Sequence, residues 1–381
     1  MLRDPLATGW PDTLLDPMRQ VGDPVADAAI TMLFQNSDIQ AVNHLMSTLV
    51  RNEELPPDAL PIYIRDYLEQ TAILPNWADM EKVRQSQALF SRFGPSIIVI
   101  LNCSALPASY AAKKGVQVLY MTRRIANDIQ TRLFETAQMI FDIMFTGGLE
   151  PGGRGVRSVQ KVRLMHAAIR HLIQRSDSWN PENDLPINQE DMLGALLAFS
   201  YGTIVSLQKL GINLTEAEIE AYLHTWNVVG HLMGIQPDLL PATMTEAELL
   251  TKAIMARQFA SSPEGQQMTL ALIEWLDGMM PGTLFNGFAS SMIRFFLGDE
   301  VANLLAVPAA NWTKTLIRPI RFFSWASAEV GHIPTLARLT EVFGRKFVES
   351  LTWVDRGGQR PPFRIPTDLQ EGWDVQPLTF S

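Results

Sequence analysis

Apolar residues along the chain recur at three- and four-residue intervals rather than in alternation, and glycine, proline and capping residues punctuate the runs. The period predicts helices near residues 25–50, 60–70, 78–93, 245–260, 263–280, 284–297, 299–306 and 334–350. It predicts further helices from about Thr122 to the stop at Gly147 and Gly148, over 154–173, from Asn188 to Gly211, and from Thr215 to Gly234 and Pro237. "TEAE" at Thr215–Glu218 and again at Thr245–Glu248 has the form of a capping box, in which the threonine accepts from the backbone and the glutamate reaches back. "NQED" at Asn188–Asp191 places acids where the helix dipole favours them, and Pro263 suits a first helical position. No alternating run is long enough for a sheet. "VQVLYM" at 116–121 has strand-like composition but leads into a helix. The expected fold is all-α, a single multi-helix domain over 1–355, with a proline-rich tail or strap at 356–381.

Composition supports this picture. The chain is 47% hydrophobic and 19% charged, enough to bury a sizeable core. A net charge of −9 argues against a general nucleic-acid partner. Cys103 is the single cysteine, so no intrachain disulfide can form. The start, "MLRDPLATGWPD", lacks the apolar run of a signal peptide. The most apolar stretch, "GPSIIVILNCSALPASY", is interrupted by Asn102 and Ser104, ended by Pro107, and shorter than the roughly 20 residues of a bilayer span. It is expected to be a buried helix or a ligand-facing wall. The expectation is a soluble, cytoplasmic protein with no transmembrane segment.

Candidate chemistry centres on "RGVRSVQKVRLMHAAIRHLI", residues 154–173. Arg163, three before His166, and Arg170, four after it, share its helix face, together with Val159, Val162, Ile169 and Ile173. Two adjacent cations favour a neutral imidazole, which has a nitrogen free for a metal. Arginines on an apolar face need anions. A haem would satisfy all three residues, with His166 on the iron and the arginines on or near the propionates. A core histidine with arginines paired to protein acids would satisfy them too. The preceding helix, "TRLFETAQMIFDIMF", puts Arg132 and Thr136 four apart on a face with Ile129, Met139 and Ile143, and Glu135 beside them. That pair could bond a bound oxygen species or a propionate, or could be an Asp128–Arg132 helix pair and a threonine bonded to its own backbone.

Other patterns carry less. "GGLEPGGRG" has the glycine spacing of a P-loop, but Arg154 and Gly155 stand where the lysine and hydroxyl residue must be, so it reads as a tight loop packing two helices together. Gly194, Ala198, Gly202 and Ser206 form a small-residue ridge, suited to close helix packing or to a flat ligand. His224 and His231 with His166 and Glu135 could suggest a non-haem metal site, but a seven-residue spacing, a little over ~10 Å, is long for one ion.

The stretch "GGLEPGGRGVRSVQKVRLMHAAIRHLI", with its R-x-x-H-x-x-x-R core, resembles the latex-clearing protein (rubber oxygenase) and MpaB-type oxygenase family. So do "TRLFETAQMIFDIM", "LPINQEDMLGALLAFS" and "YLHTWNVVGHLMGI". The resemblance implies an all-α fold with a globin-like core and haem b as cofactor. It implies His166 as the proximal iron ligand, with Arg163 and Arg170 supporting that helix and the haem environment. Arg132 and Thr136 match an R-x-x-x-T pair near the haem. It also implies O2 and a hydrophobic, isoprenoid-like molecule or polymer as reactants, with a carbon–carbon double bond cleaved or oxidised. The chain departs from the rubber-cleaving pattern at Glu135, where that pattern has a lysine, and has no acid between Pro107 and Asn127, where that pattern has a glutamate.

Overall fold

Among the described residues of the computed structural model every regular element is helical. These residues are 10–36, 60–122, 124–278 and 287–309, with the side chains of 124–132 and of Phe134 excluded. The expected helix over 334–350, the second half of that over 25–50 and the 356–381 tail lie outside them. In chain order the helices are α1 (Asp12–Met18), α2 (Pro24–Asn36), α3 (Ile62–Thr71), α4 (Met80–Ile100), α5 (Leu106–Ala111), α6 (Gly115–Met121) and α7 (Arg124–Met144). Then come α8 (Arg154–Ile173), α9 (Gln189–Phe199), α10 (Tyr201–Lys209), α11 (Glu216–Leu232), α12 (Met244–Gln258), α13 (Pro263–Gly278) and α14 (Phe288–Leu304).

Capping explains several starts. Thr215 and Glu218 form the full reciprocal box at α11, and the Asn188 side chain accepts from Asp191 N–H at α9. At α12 the functioning cap is Thr243, which accepts from Glu246 N–H at 3.1 Å, while Glu246 accepts from Ala242 N–H at 2.8 Å. Both threonines of "TMTEAE" fit the cap pattern, and the earlier one gains an extra half-turn of helix. "VQVLYM" is helical, as α6.

Four expected helices change shape. The one predicted from 78 to 93 runs on through α4 and a π-turn at Leu101–Ala105 into α5. Pro107 has no N–H for the carbonyl four residues back, and the ladder is re-registered so that Leu106 N–H reaches Leu101 C=O. The helix predicted from Asn188 to Gly211 is broken at Ser200, whose backbone leaves the helical region (φ −94°, ψ −85°). The helices predicted over 284–297 and 299–306 are one element, α14, kinked at Gly298 (φ 81°).

The core lies between the α4–π-turn–α5 rod and α7, α9, α10, α11, α13 and α14. Met80–Ala111 is long and apolar enough to cross a membrane by length and composition, but 72% of its most apolar window is already covered by this core. Ile97 to Ile100 are all within 1% of full burial, as a buried helix requires. A second cluster joins α2, α3 and one face of α8 through Ile30, Leu33, Ile64, Leu164 and Ala168.

The "GGLEPGGRG" loop does what the sequence suggests. A Cβ on Gly155 would lie 2.7 Å from Gly148 O and 2.8 Å from Asp142 O and Ile143 Cα. Only glycine lets α7 and α8 come this close, as an antiparallel hairpin. Ser158 Oγ then donates to Asp142 Oδ2 at 2.5 Å, and Gln138 Nε2 donates to Asp142 Oδ1 at 2.8 Å.

Candidate functional site

α8 presents three different faces. Leu164, Ala167, Ala168 and Leu172 are closed beneath α2 and α3. Arg163 and Arg170 form a second, charged face. The third carries Val159, Val162, His166, Ile169 and Ile173. Its two ends are sealed, with Val159 and Ile173 at 0% exposure, while Val162, His166 and Ile169 between them are only half-buried. The imidazole Nδ1 is shut off from solvent.

The hairpin register decides what stands opposite. Ser158 pairs with Asp142 and Gly155 packs on Ile143. Followed two turns further, the same register sets His166 near the Leu133–Thr136 turn of α7. There Glu135 and Thr136 are half-buried, with Leu133, Ala137 and Ile140 buried beside them. Arg132 lies on the same helix one turn before Thr136, and its side chain is outside the described residues. The hairpin register thus sets His166 opposite residues 132–134 of α7, within about one helical turn of Glu135 and Thr136.

The two arginines have protein partners. Arg163 grips Asp23 with both Nε and Nη2, the latter at 2.8 Å, and its Nη1 donates to Leu232 C=O at 3.1 Å. Arg170 pairs with Asp27 through Nη1 and donates to the carbonyls of Pro186 (3.1 Å) and Ile187 (2.8 Å). The anions seen on these guanidinium groups are Asp23, just before α2, and Asp27, on its first turn, and each guanidinium nitrogen has a protein partner. Asp23 and Asp27 are the residues that sequence reasoning missed. "DPVAD" does announce a helix start, with an acid before Pro24, but no local signal says which cations it will meet.

The remaining histidines stand elsewhere. His224 Nε2 accepts the Asp79 N–H at 2.9 Å, and both His224 and His231 lie edge-on to Trp77. Among the described residues no group of three or more His, Cys, Asp and Glu is placed to hold a metal ion. The small-residue ridge is split by the break at Ser200. Gly194 faces Ile254 of α12, and Ser206 Oγ bonds Ser104 Oγ of the π-turn at 3.4 Å, so both ends serve helix packing.

The profile of the family described as "ER-bound oxygenase mpaB/B'/Rubber oxygenase, catalytic domain" matches residues 94–329, which include the whole α7–α8 hairpin. The chain belongs to this family. A rubber oxygenase from Streptomyces sp. (strain K30) is 26% identical over 293 residues, 75% of this chain and 71% of that protein. The solved latex clearing protein, in its closed state, superposes with a TM-score of 0.72 at 24% identity, covering 87% of this chain and 91% of its own. That likeness establishes a shared helical fold.

Burial also sets a pH dependence. His171 stacks on Phe34 with ring centroids 4.6 Å apart, and burial, aided by Arg175, lowers its pKa from 6.5 to about 4. His224 and His231 are lowered as well, chiefly by burial. The fold thus favours neutral imidazoles. Their contribution is complete above the unfolded value of 6.5 and is lost as pH falls below it, in the case of His171 down to about 4. Thermal unfolding is expected at lower temperature at pH 5 than at pH 7, and His171→Phe should flatten part of that slope. An unchanged slope in the variant would remove His171 from this account.

Proposed function

We propose that this protein is a haem b-dependent oxygenase that uses O2 to cleave or oxidise a carbon–carbon double bond in a hydrophobic, isoprenoid-like substrate. The observation that carries this reading is the half-open apolar strip around His166, sealed at both ends, in a chain of the MpaB/rubber oxygenase family. The donor set suits the group. A haem needs one protein nitrogen on its proximal side, because the macrocycle supplies the other four, and it needs apolar walls. His166 offers the nitrogen, and Val162 and Ile169 offer the walls.

When bound, the haem supplies the O2 chemistry. The protein's part is binding, orientation and exclusion of water. His166 would hold the group from α8. Val162 and Ile169 would keep water from it on that side. Thr136 brings a hydroxyl that can both donate and accept, and Glu135, when ionised, only accepts. The family's rubber-cleaving pattern has a lysine at that position, so this chain presents opposite charge there. The substrate we propose is polyisoprene or a smaller isoprenoid-like molecule.

Product analysis with isotopic O2 tests the reaction. Oxidative cleavage is expected to label both carbonyl ends before exchange with water, and a single labelled hydroxyl would instead mark a hydroxylase. Arg132→Ala is expected to lower turnover while haem stays bound. Unchanged turnover would reject a role for Arg132 in the reaction.

A further inference from the structure

We infer that Asp23, just before α2, and Asp27, on its first turn, are positioning residues for His166, acting through Arg163 and Arg170 as a two-point clamp on α8. The inference rests on the reading of His166 as a haem ligand and adds to it the device that sets the imidazole.

The clamp is buried and interlocked. The side chains of Arg170 and Asp23 are 2% and 3% exposed, and that of Arg163 is 10% exposed. The Asp23 backbone N–H donates to Asp27 Oδ2 at 3.0 Å, so the Asp27 carboxylate is held by the backbone of Asp23 as well as by Arg170. Two glycines close on the guanidinium groups from the far side. A Cβ on Gly22 would come within 2.7 Å of Asp27 Oδ2 and 2.8 Å of Arg170 Nε. One on Gly234, whose φ is +82°, would come within 2.6 Å of Asp23 Oδ2 and 2.8 Å of Arg163 Cζ. The backbone has been brought as near to the ion pairs as it can go.

The arginines bracket His166, one turn to either side. Fixing both of them sets the rotation of α8 about its axis and its height along α2, and these two quantities determine where the imidazole points. An apolar pair would hold the helices together with less directional control. Buried ion pairs commonly gain little net stability, since desolvation offsets the attraction. A bidentate arginine–carboxylate fork does constrain geometry. The open apolar strip beside it must stay unfilled to receive a ligand, so α8 is held on its charged flank rather than by packing around the histidine.

The test is hemin titration into the apo forms of wild type, His166→Ala, Asp23→Asn, Asp27→Asn and Thr71→Val, with absorption spectra and reduction potentials of the loaded proteins. Thr71→Val is the structural control. Thr71 Oγ1 accepts from Gln160 Nε2 at 2.8 Å and so also tethers α8, away from the clamp. Asp23→Asn is expected to weaken hemin binding by at least about tenfold, the usual cost of losing a group that orients a metal ligand, and to shift the spectrum and potential. Thr71→Val is expected to lower the unfolding temperature and leave spectrum, potential and affinity at wild-type values. An Asp23→Asn protein that matches Thr71→Val in all three overturns the clamp. If Asp23→Asn does not fold, Asp27→Asn, whose carboxylate is 34% exposed, is read by the same criteria. Failure of wild type to bind hemin, or binding by His166→Ala with an unaltered spectrum, would instead defeat the haem reading and the clamp with it.

Discussion

His166→Ala protein, made in culture supplied with hemin, is expected to purify colourless, with no Soret absorption and iron near background, while wild type carries about one iron per chain. On the proposed reading the effect should be nearly complete, because His166 is the residue that would hold the group. Folding should survive the change. His166 is only half-buried, so its truncation costs less packing than that of a fully buried side chain. The far-UV circular dichroism of the variant should therefore match that of wild type. A coloured variant with the wild-type spectrum would show that the iron is held from another residue.

Arg163→Ala is expected to be the most destabilising single change in the α8 region. It leaves the Asp23 carboxylate, 3% exposed, without its forked partner, and Leu232 C=O without its donor. Breaking one side of a buried pair typically costs about 3–5 kcal/mol, because the remaining charge is still desolvated. Denaturant titration of the apo protein measures this. Arg163→Lys should recover little, since an ammonium cannot reproduce the two parallel bonds. Arg163→Ala combined with Asp23→Ala should cost less than Arg163→Ala alone, because no stranded charge remains. A loss below about 1 kcal/mol for Arg163→Ala would mean that water reaches Asp23, and the pair would then be a surface contact in energetic terms.

Much of this molecule was legible in the chain because it is governed by neighbours three or four residues apart. The helical period, the caps at Thr215 and Asn188, and the glycine-dependent approach of α7 to α8 are all local consequences of local sequence. The R-x-x-H-x-x-x-R motif likewise pointed to the family whose profile the chain matches.

What the local pattern left open were questions of partnership. Arg163 needs an anion wherever it is buried, but whether that anion is a cofactor's or a protein's depends on a residue 140 positions away, Asp23. The break at Ser200 interrupts an unbroken helical pattern, and Thr243 wins over Thr245 as a cap although both fit. The helix through Asn102 and Ser104 continues by changing its hydrogen-bond register, where composition alone suggested an end. In each case two local states lie within a kcal/mol or so of one another, and packing energies of that size or larger choose between them. The sequence by itself determined that α8 would be a helix with an imidazole between two cations. Only the tertiary structure could decide that the cations face aspartates and that the apolar strip beside the imidazole stays partly open.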